Sequence, residues 1–518
     1  MGTANGNLLL GELLKAVFSV NSSVHNSNAR RPLARKRADS KTTRAAGSQS
    51  REDALSRMSD VVGAAHALID PEQQLPYLRE LRGLYEGRAA LVLRPESISQ
   101  VSEIVGIANA AGIGIVPQGG NTGLVGGQMP SGDGTEVVLS LSRLNQVRNV
   151  DAAGGTMIVE AGVTLAAAQD AAERAGRLFP LSLPSEGSCE IGGVLATNAG
   201  GTGVLAYGNA RALTLGLEVV LASGEIWDGL RTLKKDNTGY DLRDLFVGSE
   251  GTLGVITAAA LKLFPRPAET AVALAALPTL EDVATLFRLS EARGAHSLTA
   301  FEFMSRFTLE LVTRHVPGTR LPVREEAPWY VLIELSSAVE GGGAETAMQR
   351  LLEEASEKHI ISDVVIAGSL AQAQSLWKLR ESASEAQRGE GGSIKHDVSV
   401  PVARIPEFIT AAGAEVERVC HGARPVVFGH FGDGNVHYNV TQPVGMDRAE
   451  YLAMWNEMAG AVHDVVARFS GSISAEHGIG QMKRAELARF KSPVELAIMR
   501  KIKAALDPNG ILNPGKLL

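Results

Sequence analysis

The segment 430–439, His-Phe-Gly-Asp-Gly-Asn-Val-His-Tyr-Asn, most constrains the fold of this chain, because it has the pattern of a β-hairpin. Short runs with strand-forming residues at 426–431 and 436–440 flank a central Asp433-Gly434 pair. Asp-Gly is a favoured two-residue hairpin turn, since both central positions require a positive φ. We therefore predict two antiparallel strands joined by a tight turn at this pair.

The hairpin carries two histidines that this register places opposite each other. His430 is predicted to pair with His437, with Cβ atoms about 5 Å apart on one face, and Asn439 points to the same face. A carboxylate from Glu476, in the segment Ser-Ala-Glu-His-Gly at 474–478, would complete a two-histidine, one-carboxylate set. Such a set leaves coordination positions open, as catalytic zinc or another divalent metal requires. The alternative is a pair of strand histidines satisfied in a polar core.

Size and composition indicate a globular protein of two or three domains. The chain has 518 residues, of which 45% are apolar, so it can bury a large core. No apolar run approaches the length that spans a bilayer, which argues against membrane insertion. Cys189 and Cys420 are the only cysteines, which excludes a disulfide framework and a thiolate-rich metal site. A reducing compartment fits best.

Charge is unevenly distributed along the chain. Residues 1–50 carry eight Lys and Arg against Glu12 and Asp39, whereas the rest of the chain is acidic. The acidic body argues against nucleic acid as a partner. We predict that residues 1–55 are a disordered basic extension or a targeting segment. A transit peptide would place the protein in the mitochondrial matrix, and an upstream extension of a bacterial protein would leave it in the cytoplasm.

Apolar periodicity indicates how the rest of the chain is organised. A strand at 89–93, a helix at 97–111 and a strand at 113–117 predict a β-α-β opening. A proline pair at Pro265 and Pro267 marks a plausible domain boundary. Beyond it, strands and helices predict an α+β sandwich with helices on one face of the sheet.

Three glycine-rich loops predict a binding site for one extended, phosphate-bearing ligand. They lie at 117–127, at 184–193 with its continuation 196–201, and at 248–254. Consecutive small residues let backbone N–H groups converge on an anion. The chain has neither the Walker pattern nor a clean G-x-G-x-x-G, so a P-loop NTPase or a nicotinamide Rossmann site is disfavoured. The alternative for any single loop is a tight turn that needs positive φ.

With these loops the chain resembles the vanillyl-alcohol-oxidase-type flavoproteins from about residue 87 to 518, including the ending Asp-Pro-Asn-Gly-Ile-Leu-Asn-Pro-Gly-Lys at 507–516. The resemblance implies that FAD is the extended ligand. Because no histidine stands near the first loop, where several members attach the flavin covalently, noncovalent FAD is expected. The positions that match the cofactor contacts are Pro117, Gly119, Gly120, Asn121, Thr122, Gly123, Gly127, Pro184, Gly187, Ser188, Gly192, Gly193, Asn198, Glu250, Gly251, Gly254, Ile256 and Asn513.

Within that superfamily the two histidine-bearing segments resemble the metal-dependent D-2-hydroxy-acid dehydrogenases, and residues 376–400 most resemble the D-2-hydroxyglutarate dehydrogenases. The implied fold is α+β. An FAD-binding domain of two subdomains, of the vanillyl-alcohol-oxidase or PCMH type, is expected at 56–266. An α+β substrate- and metal-binding domain with a mostly antiparallel sheet is expected at 267–475. A helical C-terminal segment, 476–518, is expected to return to the flavin.

The chemistry follows from the predicted ligand set. A 2-hydroxy acid chelates a metal through its hydroxyl and one carboxylate oxygen, and so fills the positions left open by His430, His437 and Glu476. Lewis-acid polarisation lowers the hydroxyl pKa, so that a nearby base can take the proton while the C2 hydride passes to flavin N5. His477 is our candidate for this base and, with Asn439, for substrate binding. The alternative for His477 is a supporting or ligand role, because adjacent residues on a strand point oppositely.

A dicarboxylate substrate also needs cations at its distal end. Arg380 and Ser384 lie at i and i+4 on a predicted helix at 374–386, and Lys395 starts a predicted strand at 394–400. Arginine offers a bidentate fork to a carboxylate, and lysine offers a point charge. These positions match the substrate contacts of the resembled family, although Ser384 stands where threonine is usual. The alternative is a solvated helix face.

The expected function is therefore FAD- and divalent-metal-dependent oxidation of D-2-hydroxyglutarate to 2-oxoglutarate, with zinc as the expected metal. D-lactate or a related D-2-hydroxy acid is the alternative substrate. A metal-dependent hydrolase and a flavoprotein with only a structural metal are the alternatives outside this class. Because a nicotinamide motif is absent, electrons are expected to pass to electron-transfer flavoprotein or a quinone-linked acceptor. A homodimer is compatible with the sequence.

Overall fold

The computed structural model describes residues 40–294 and 297–518. Most of the predicted basic extension, residues 1–39, lies outside the described residues. A helix, Ser40–Val62, begins inside the segment that we assigned to the extension. Its Ala54 and Met58 are buried in an apolar core. The folded body therefore begins before residue 56, because this helix supplies part of that core.

The first sheet has four strands and contains the predicted β-α-β unit. Helix Ile98–Ala111 connects two strands that both pair in parallel with a third, as a crossover connection requires. The Ser97 hydroxyl accepts the N–H of Gln100 at the helix start, and Gly112, at φ 64°, ends the helix. In spatial order the strands are Ala67–Leu68, Leu91–Leu93, Val137–Ser140 and Ile115–Gln118.

The second sheet is antiparallel and has five strands. Its central strand, Val255–Lys262, is buried along almost its whole length, because both neighbours and short helices cover it. The glycine-rich stretch that precedes it forms three short helices, Ile191–Ala196, Val204–Tyr207 and Ala210–Leu213. In spatial order the strands are Val147–Asp151, Thr156–Glu160, Val255–Lys262, Thr214–Val220 and Ile226–Gly229, and a separate pair joins Arg177–Leu178 to Phe264–Pro265.

The third sheet has eight strands, all of them paired antiparallel as expected. In spatial order they are Asp363–Ile366, Glu269–Leu277, Trp329–Ser337, Leu298–Ser305, Arg424–His430, Asn435–Thr441 and Ser393–Ile394, and Asp397–Ser399 also pairs with Asn435–Thr441.

Helices cover both faces of this sheet, so the prediction of helices on one face was wrong. Along strand Glu269–Leu277, alternate residues enter two different cores, Ala273 into one and Leu274 into the other. The strand is an almost continuous apolar run, the pattern of a strand that is buried on both sides. On one side lie Leu280–Gly294, Ala344–Glu357, Ile405–Val419 and Trp455–Arg468, and on the other lie Arg306–His315 and Leu370–Glu381.

The C-terminal segment returns to the first sheet. After helices Arg484–Phe490 and Pro493–Leu506, the N–H of Ile115 donates to the carbonyl of Ile511 at 2.7 Å, and the N–H of Asn513 donates to the carbonyl of Ile115 at 2.8 Å. The remaining helices are Pro71–Leu78, Leu165–Arg174, Arg243–Phe246, Ala383–Ala386 and Arg448–Ala453, with 3₁₀ turns at Gln387–Glu390, Val402–Arg404 and Phe431–Asp433.

Among residues 40–294 and 297–518, no helix combines the length and the apolar character that crossing a membrane requires.

Candidate active site

The predicted hairpin forms, but its register differs from the prediction. His430 pairs with Asn435 and Phe428 pairs with His437, so His430 and His437 are diagonal neighbours on one face. The connection is a four-residue loop with a 3₁₀ turn, in which only Gly434 takes a positive φ, 85°. A Cβ at Gly434 would lie 2.2 Å from the carbonyl oxygen of Val400, so the neighbouring backbone packs directly against this loop. The strand register is shifted by two residues from the prediction. His430 and His437 therefore remain on the same face of the hairpin, but each has a different cross-strand partner.

His430, His437 and Glu476 converge at the end of this hairpin. Their candidate ligand atoms all lie within 4.8 Å of one another. The two imidazole centroids are 5.7 Å apart, and Nε2 of His430 lies 3.4 Å from Oε1 of Glu476. The N–H of Gly201, from the glycine-rich half of the chain, donates to the same carboxylate oxygen at 3.1 Å. Two imidazole nitrogens and one carboxylate form a donor set that fits a divalent metal.

Glu302 supports this cluster and was not predicted from the sequence. Nδ1 of His430 donates to one of its oxygens at 2.7 Å, and Nε of Arg380 donates to the other at 2.8 Å. Burial raises the pKa of Glu302, but positive His430 and Arg380 outweigh burial and hold the pKa below its usual range. Burial likewise lowers the pKa of His430, yet the carboxylate raises it to about 9. With Nδ1 engaged, Nε2 is the nitrogen that faces Glu476.

Asp397 is the second buried acid that we did not predict. One of its oxygens accepts the backbone N–H groups of Glu476 and His477, both at 2.9 Å, and lies 3.5 Å from Nδ1 of His477. The other oxygen accepts Nδ2 of Asn435 at 3.0 Å and lies 3.8 Å from Nδ1 of His437. Burial raises the pKa of Asp397, but His477, Lys483 and His437 outweigh it, so the group stays ionised.

The backbone around Glu476 and His477 is irregular, so these two adjacent side chains need not point in opposite directions as they would on a strand. No regular strand forms here, and Gly478 and Gly480 take positive φ values of 82° and 52°. Glu476 and His477 both line the same cavity as His430. The bonds from their backbone to Asp397 fix this arrangement.

The predicted substrate-binding cations also line this cavity, although their secondary structure differs from the prediction. The expected continuous helix at 374–386 breaks at Ser382 into Leu370–Glu381 and Ala383–Ala386. The expected strand at 394–400 is also interrupted, because Lys395 and His396 lie between Ser393–Ile394 and Asp397–Ser399. The i and i+4 argument therefore does not explain why Arg380 and Ser384 face one site.

Tertiary contacts hold these groups instead. Nζ of Lys395 donates to Oγ of Ser384 at 2.9 Å. Burial, with Arg82 and Arg388 nearby, lowers the pKa of Lys395 to about 8. The Arg380 guanidinium lies 5.0 Å from the centre of the Phe428 ring, and its buried Nη2 has no hydrogen-bond partner among the described residues. Lys395 and Arg380 thus present donors to an anionic ligand. Asn439, predicted to bind substrate, also lines the cavity.

The glycine-rich loops and the histidine cluster line one cavity of about 820 Å³. Every predicted cofactor residue lines it except Gly187, Ser188 and Asn198. The Ser188 carbonyl packs against the first loop, since a Cβ at Gly120 would lie 1.8 Å from it. Asn198 accepts the N–H of Arg211 at 2.9 Å. Neither Ser188, which is exposed, nor Asn198 lines the cavity, and both contact the loops that do.

Unpaired polar atoms show that the cavity suits a long polar ligand such as FAD. Oε1 of Gln118, Oδ1 of Asn121 and Oδ1 of Asn513 are buried without a hydrogen-bond partner among the described residues. Nδ2 of Asn513 donates to the carbonyls of Gly127 and Glu250, at 2.9 and 2.7 Å, which leaves only its oxygen free. Buried acceptors without partners are costly, so a ligand that donates to them is expected.

Glu250 contributes to the cavity through its backbone. Its side-chain oxygens accept the N–H groups of Ile479 and Gly480, at 2.8 and 2.7 Å. Burial raises the pKa of this carboxyl, partly offset by those two donors. The side chain therefore connects the third glycine-rich loop to the segment that carries Glu476.

Comparisons with known proteins agree with this geometry. Residues 89–229 match the family described as FAD binding domain, and residues 266–517 match FAD linked oxidases, C-terminal domain. The fold resembles a p-cresol methylhydroxylase structure with substrate bound (TM-score 0.72, 19% identity, covering 90% of this chain and 97% of that one). An alkyldihydroxyacetonephosphate synthase structure is also similar (TM-score 0.68, 16% identity, covering 89% and 84%). Fold and site thus define an FAD-linked oxidoreductase, and the predicted fold class is confirmed.

Comparison with curated relatives shows to which family of FAD-linked oxidoreductases the chain belongs. The chain is 40% identical over 472 residues to a mitochondrial D-2-hydroxyglutarate dehydrogenase of Bos taurus, covering 90% of this chain and 84% of the relative. It is 39% identical over 464 residues to a D-2-hydroxyglutarate dehydrogenase of Xanthomonas citri pv. viticola, covering 89% and 96%. A D-2-hydroxyglutarate-pyruvate transhydrogenase of Saccharomyces cerevisiae is 36% identical, covering 86% and 90%. The chain belongs to the D-2-hydroxyglutarate dehydrogenase family and is an FAD-dependent dehydrogenase.

Proposed function

We propose that this enzyme oxidises D-2-hydroxyglutarate to 2-oxoglutarate with noncovalent FAD and a divalent metal, for which zinc is expected. One observation carries the proposal. The cluster of His430, His437 and Glu476 lines the same cavity as Arg380 and Lys395, and the FAD-type loops line it too. A substrate with a 2-hydroxy acid at one end and a carboxylate at the other matches this arrangement.

The side chains of the cluster have two proposed roles, metal binding and proton acceptance. When bound, the metal supplies a Lewis acid for the substrate hydroxyl, and FAD supplies the acceptor for the C2 hydride. His430, His437 and Glu476 would hold this metal. His477 takes the hydroxyl proton at Nε2, because its Nδ1 faces Asp397 at 3.5 Å. The same carboxylate stabilises the imidazolium that forms, as in other His-Asp pairs.

The distal carboxylate is held by Arg380, Lys395 and Ser384. Nη2 of Arg380 is a buried donor without a partner in the part of the chain that the structure describes, and the salt bridge from Nε to Glu302 fixes the plane of the guanidinium. Lys395 adds a second charge, and its bond to Ser384 positions Nζ. Asn439, on the face that carries the histidines, offers an amide to the hydroxy-acid end. A substrate without a second carboxylate, such as D-lactate, would leave these cations without a partner.

Steady-state kinetics with an artificial electron acceptor test the proposal. We expect kcat/KM to be higher for D-2-hydroxyglutarate than for D-lactate, and Arg380→Ala to remove most of that difference. Equal efficiency for both acids, unaffected by the substitution, would favour the D-lactate alternative. Hydrolysis without flavin reduction by any hydroxy acid would favour the metal-dependent hydrolase.

Electrons are proposed to leave through electron-transfer flavoprotein, with a quinone-linked carrier as the alternative. Support comes from the absence of a nicotinamide-binding motif, and the names of several relatives place those proteins in mitochondria. Stopped-flow oxidation of the reduced enzyme by purified electron-transfer flavoprotein, by a soluble quinone and by oxygen separates the three routes. Reoxidation by oxygen faster than by either carrier would contradict the proposal.

A further inference from the structure

Glu190 is a buried acid in the FAD-type cavity that the reaction above does not use. It ends the second glycine-rich loop, immediately before helix Ile191–Ala196, and is only 7% exposed. The side chain lines the cavity against the first loop, since a Cβ at Gly119 would lie 3.3 Å from Cβ and 3.4 Å from Oε2 of Glu190. Its carboxyl therefore lies where the first and second glycine-rich loops meet.

This carboxyl differs from the other buried acids of the enzyme. Glu302 has two cationic partners, and Glu250 and Asp397 accept backbone N–H groups. Oε2 of Glu190 is buried without a partner, and neither oxygen forms a hydrogen bond with another described residue. Although the residue begins a helix, its side chain does not cap it. An isolated buried carboxylate is strongly disfavoured relative to the neutral acid.

Among residues 40–294 and 297–518, no cation packed around Glu190 offsets the cost of burying its negative charge. The first loop (117–127), the turn at 161–164 and helix Ile191–Ala196 carry no ionisable side chain. On its own loop stand Glu186, which accepts Nε2 of Gln169 at 3.3 Å, and buried Cys189, whose thiol pKa is raised by burial. Burial raises the pKa of Glu190 to about 8. The acid form is thus favoured at neutral pH before any ligand binds.

We propose that Glu190 binds FAD as a neutral acid, donating its proton in a hydrogen bond to the cofactor, so that retention of FAD requires this residue to be protonated. FAD carries two phosphate charges, and the glycine-rich loops beside the carboxyl are the predicted phosphate-binding elements. A carboxylate there is repelled by these charges and cannot donate, whereas a carboxylic acid can. Binding therefore takes up a proton once the pH exceeds the pKa of the free site. The proposal concerns cofactor binding and does not depend on the substrate or the metal.

Equilibrium retention of FAD tests the proposal. Full-length holoenzyme is equilibrated with a small excess of FAD between pH 6 and 9.5, and free FAD is measured in ultrafiltrates by fluorescence. For the wild type we expect the Kd to be constant below about pH 8 and to rise by about tenfold per pH unit above it, the slope of one linked proton. Glu190→Gln, which keeps the shape and a donor, should bind FAD with no such rise. Glu186→Gln, on the same loop, should keep the wild-type pH dependence.

Two further measurements separate a proton-linked contact from a packing effect. At pH 8.5 about three quarters of the free wild-type sites are deprotonated, so FAD binding should take up about that fraction of a proton from a weakly buffered dye solution. Binding by Glu190→Gln should take up less by the same amount. Thermal unfolding at saturating FAD should give similar Tm values for both proteins at pH 7. The proposal would be overturned if the wild-type Kd for FAD changes with pH no more than the Kd of Glu190→Gln does. It would also be overturned if the wild-type Kd falls as pH rises. Equal proton uptake by the two proteins would overturn it as well.

Discussion

Nδ1 of His430 lies 2.7 Å from Oε1 of Glu302, and the second oxygen of that carboxylate holds Arg380 at 2.8 Å. One buried acid thus connects a proposed metal ligand to a proposed substrate-binding cation. The orientation of His430 and the orientation of Arg380 depend on the same side chain. A change at Glu302 is therefore expected to affect both ends of the substrate, although Glu302 itself does not line the cavity.

Glu302→Gln should weaken metal binding and dicarboxylate recognition together. The amide keeps the size of the side chain but can accept at only one position, so either His430 or Arg380 loses its partner. We expect metal affinity to fall by about 10- to 100-fold, the usual effect of removing the partner of a metal-bound histidine. KM for D-2-hydroxyglutarate should rise, while KM for D-lactate changes less.

Competition with a metal-sensitive dye measures the affinity, and initial rates give the two KM values. Glu334→Gln is the matched control, because Glu334 is a half-buried acid of the same sheet that accepts hydrogen bonds from Thr299 and Trp377 instead. Unchanged metal affinity in Glu302→Gln would show that the carboxylate is only structural.

Removal of the metal should abolish substrate oxidation while FAD stays bound. The loops that line the cofactor part of the cavity do not contain His430, His437 or Glu476, although Gly201 donates to the Glu476 carboxylate. After treatment with a chelator, we expect flavin absorbance to remain and reduction by D-2-hydroxyglutarate to stop. Dithionite should still reduce the flavin, and added zinc should restore activity. Substrate reduction of the flavin in fully chelated enzyme would instead support the structural-metal alternative.

The pH dependence of substrate capture should reflect Lys395. Burial and the nearby cations lower its pKa to about 8, so its charge is present below that pH and is lost as pH rises through it. We expect kcat/KM for D-2-hydroxyglutarate to fall above about pH 8, and the ratio of kcat/KM for D-2-hydroxyglutarate to that for D-lactate to fall with it.

In Lys395→Met, the ratio of kcat/KM for D-2-hydroxyglutarate to that for D-lactate should be low and independent of pH. We expect this ratio to be lower than in the wild type by about tenfold or more, as for the loss of one charge-assisted hydrogen bond. Lys378→Met is the control, because Lys378 is an exposed lysine of the preceding helix that donates to the carbonyl of Pro317. A wild-type selectivity ratio that stays constant from pH 7 to 9.5 would exclude Lys395 from recognition of the distal carboxylate.

The sequence was sufficient to predict that His430 and His437 share one face of a hairpin, and to locate the glycine-rich loops, because both depend on local spacing. It was not sufficient for the register, since the loop at Gly434 packs against the backbone of Val400, a tertiary contact that local spacing does not reveal. Glu302 lies 128 positions from His430, and no local pattern links the two. One signal was available: Glu302 is the only charged residue in the apolar strand Leu298–Ser305. A charge in such a strand needs a buried partner.

Asp397→Asn should impair the enzyme more broadly than His477→Gln does. Two backbone N–H groups and one amide donate to the Asp397 carboxylate, and both His437 and His477 face it. An asparagine must turn its NH₂ group toward one of these donors, so the Glu476-His477 segment loses an anchor. We expect His477→Gln to lower kcat by about a hundredfold or more, as for loss of a general base, with FAD and metal retained. Asp397→Asn should lower both kcat and metal content, measured by elemental analysis of the purified proteins. If Asp397→Asn keeps full metal occupancy and loses only kcat, its carboxylate acts on His477 alone and does not hold the position of Glu476.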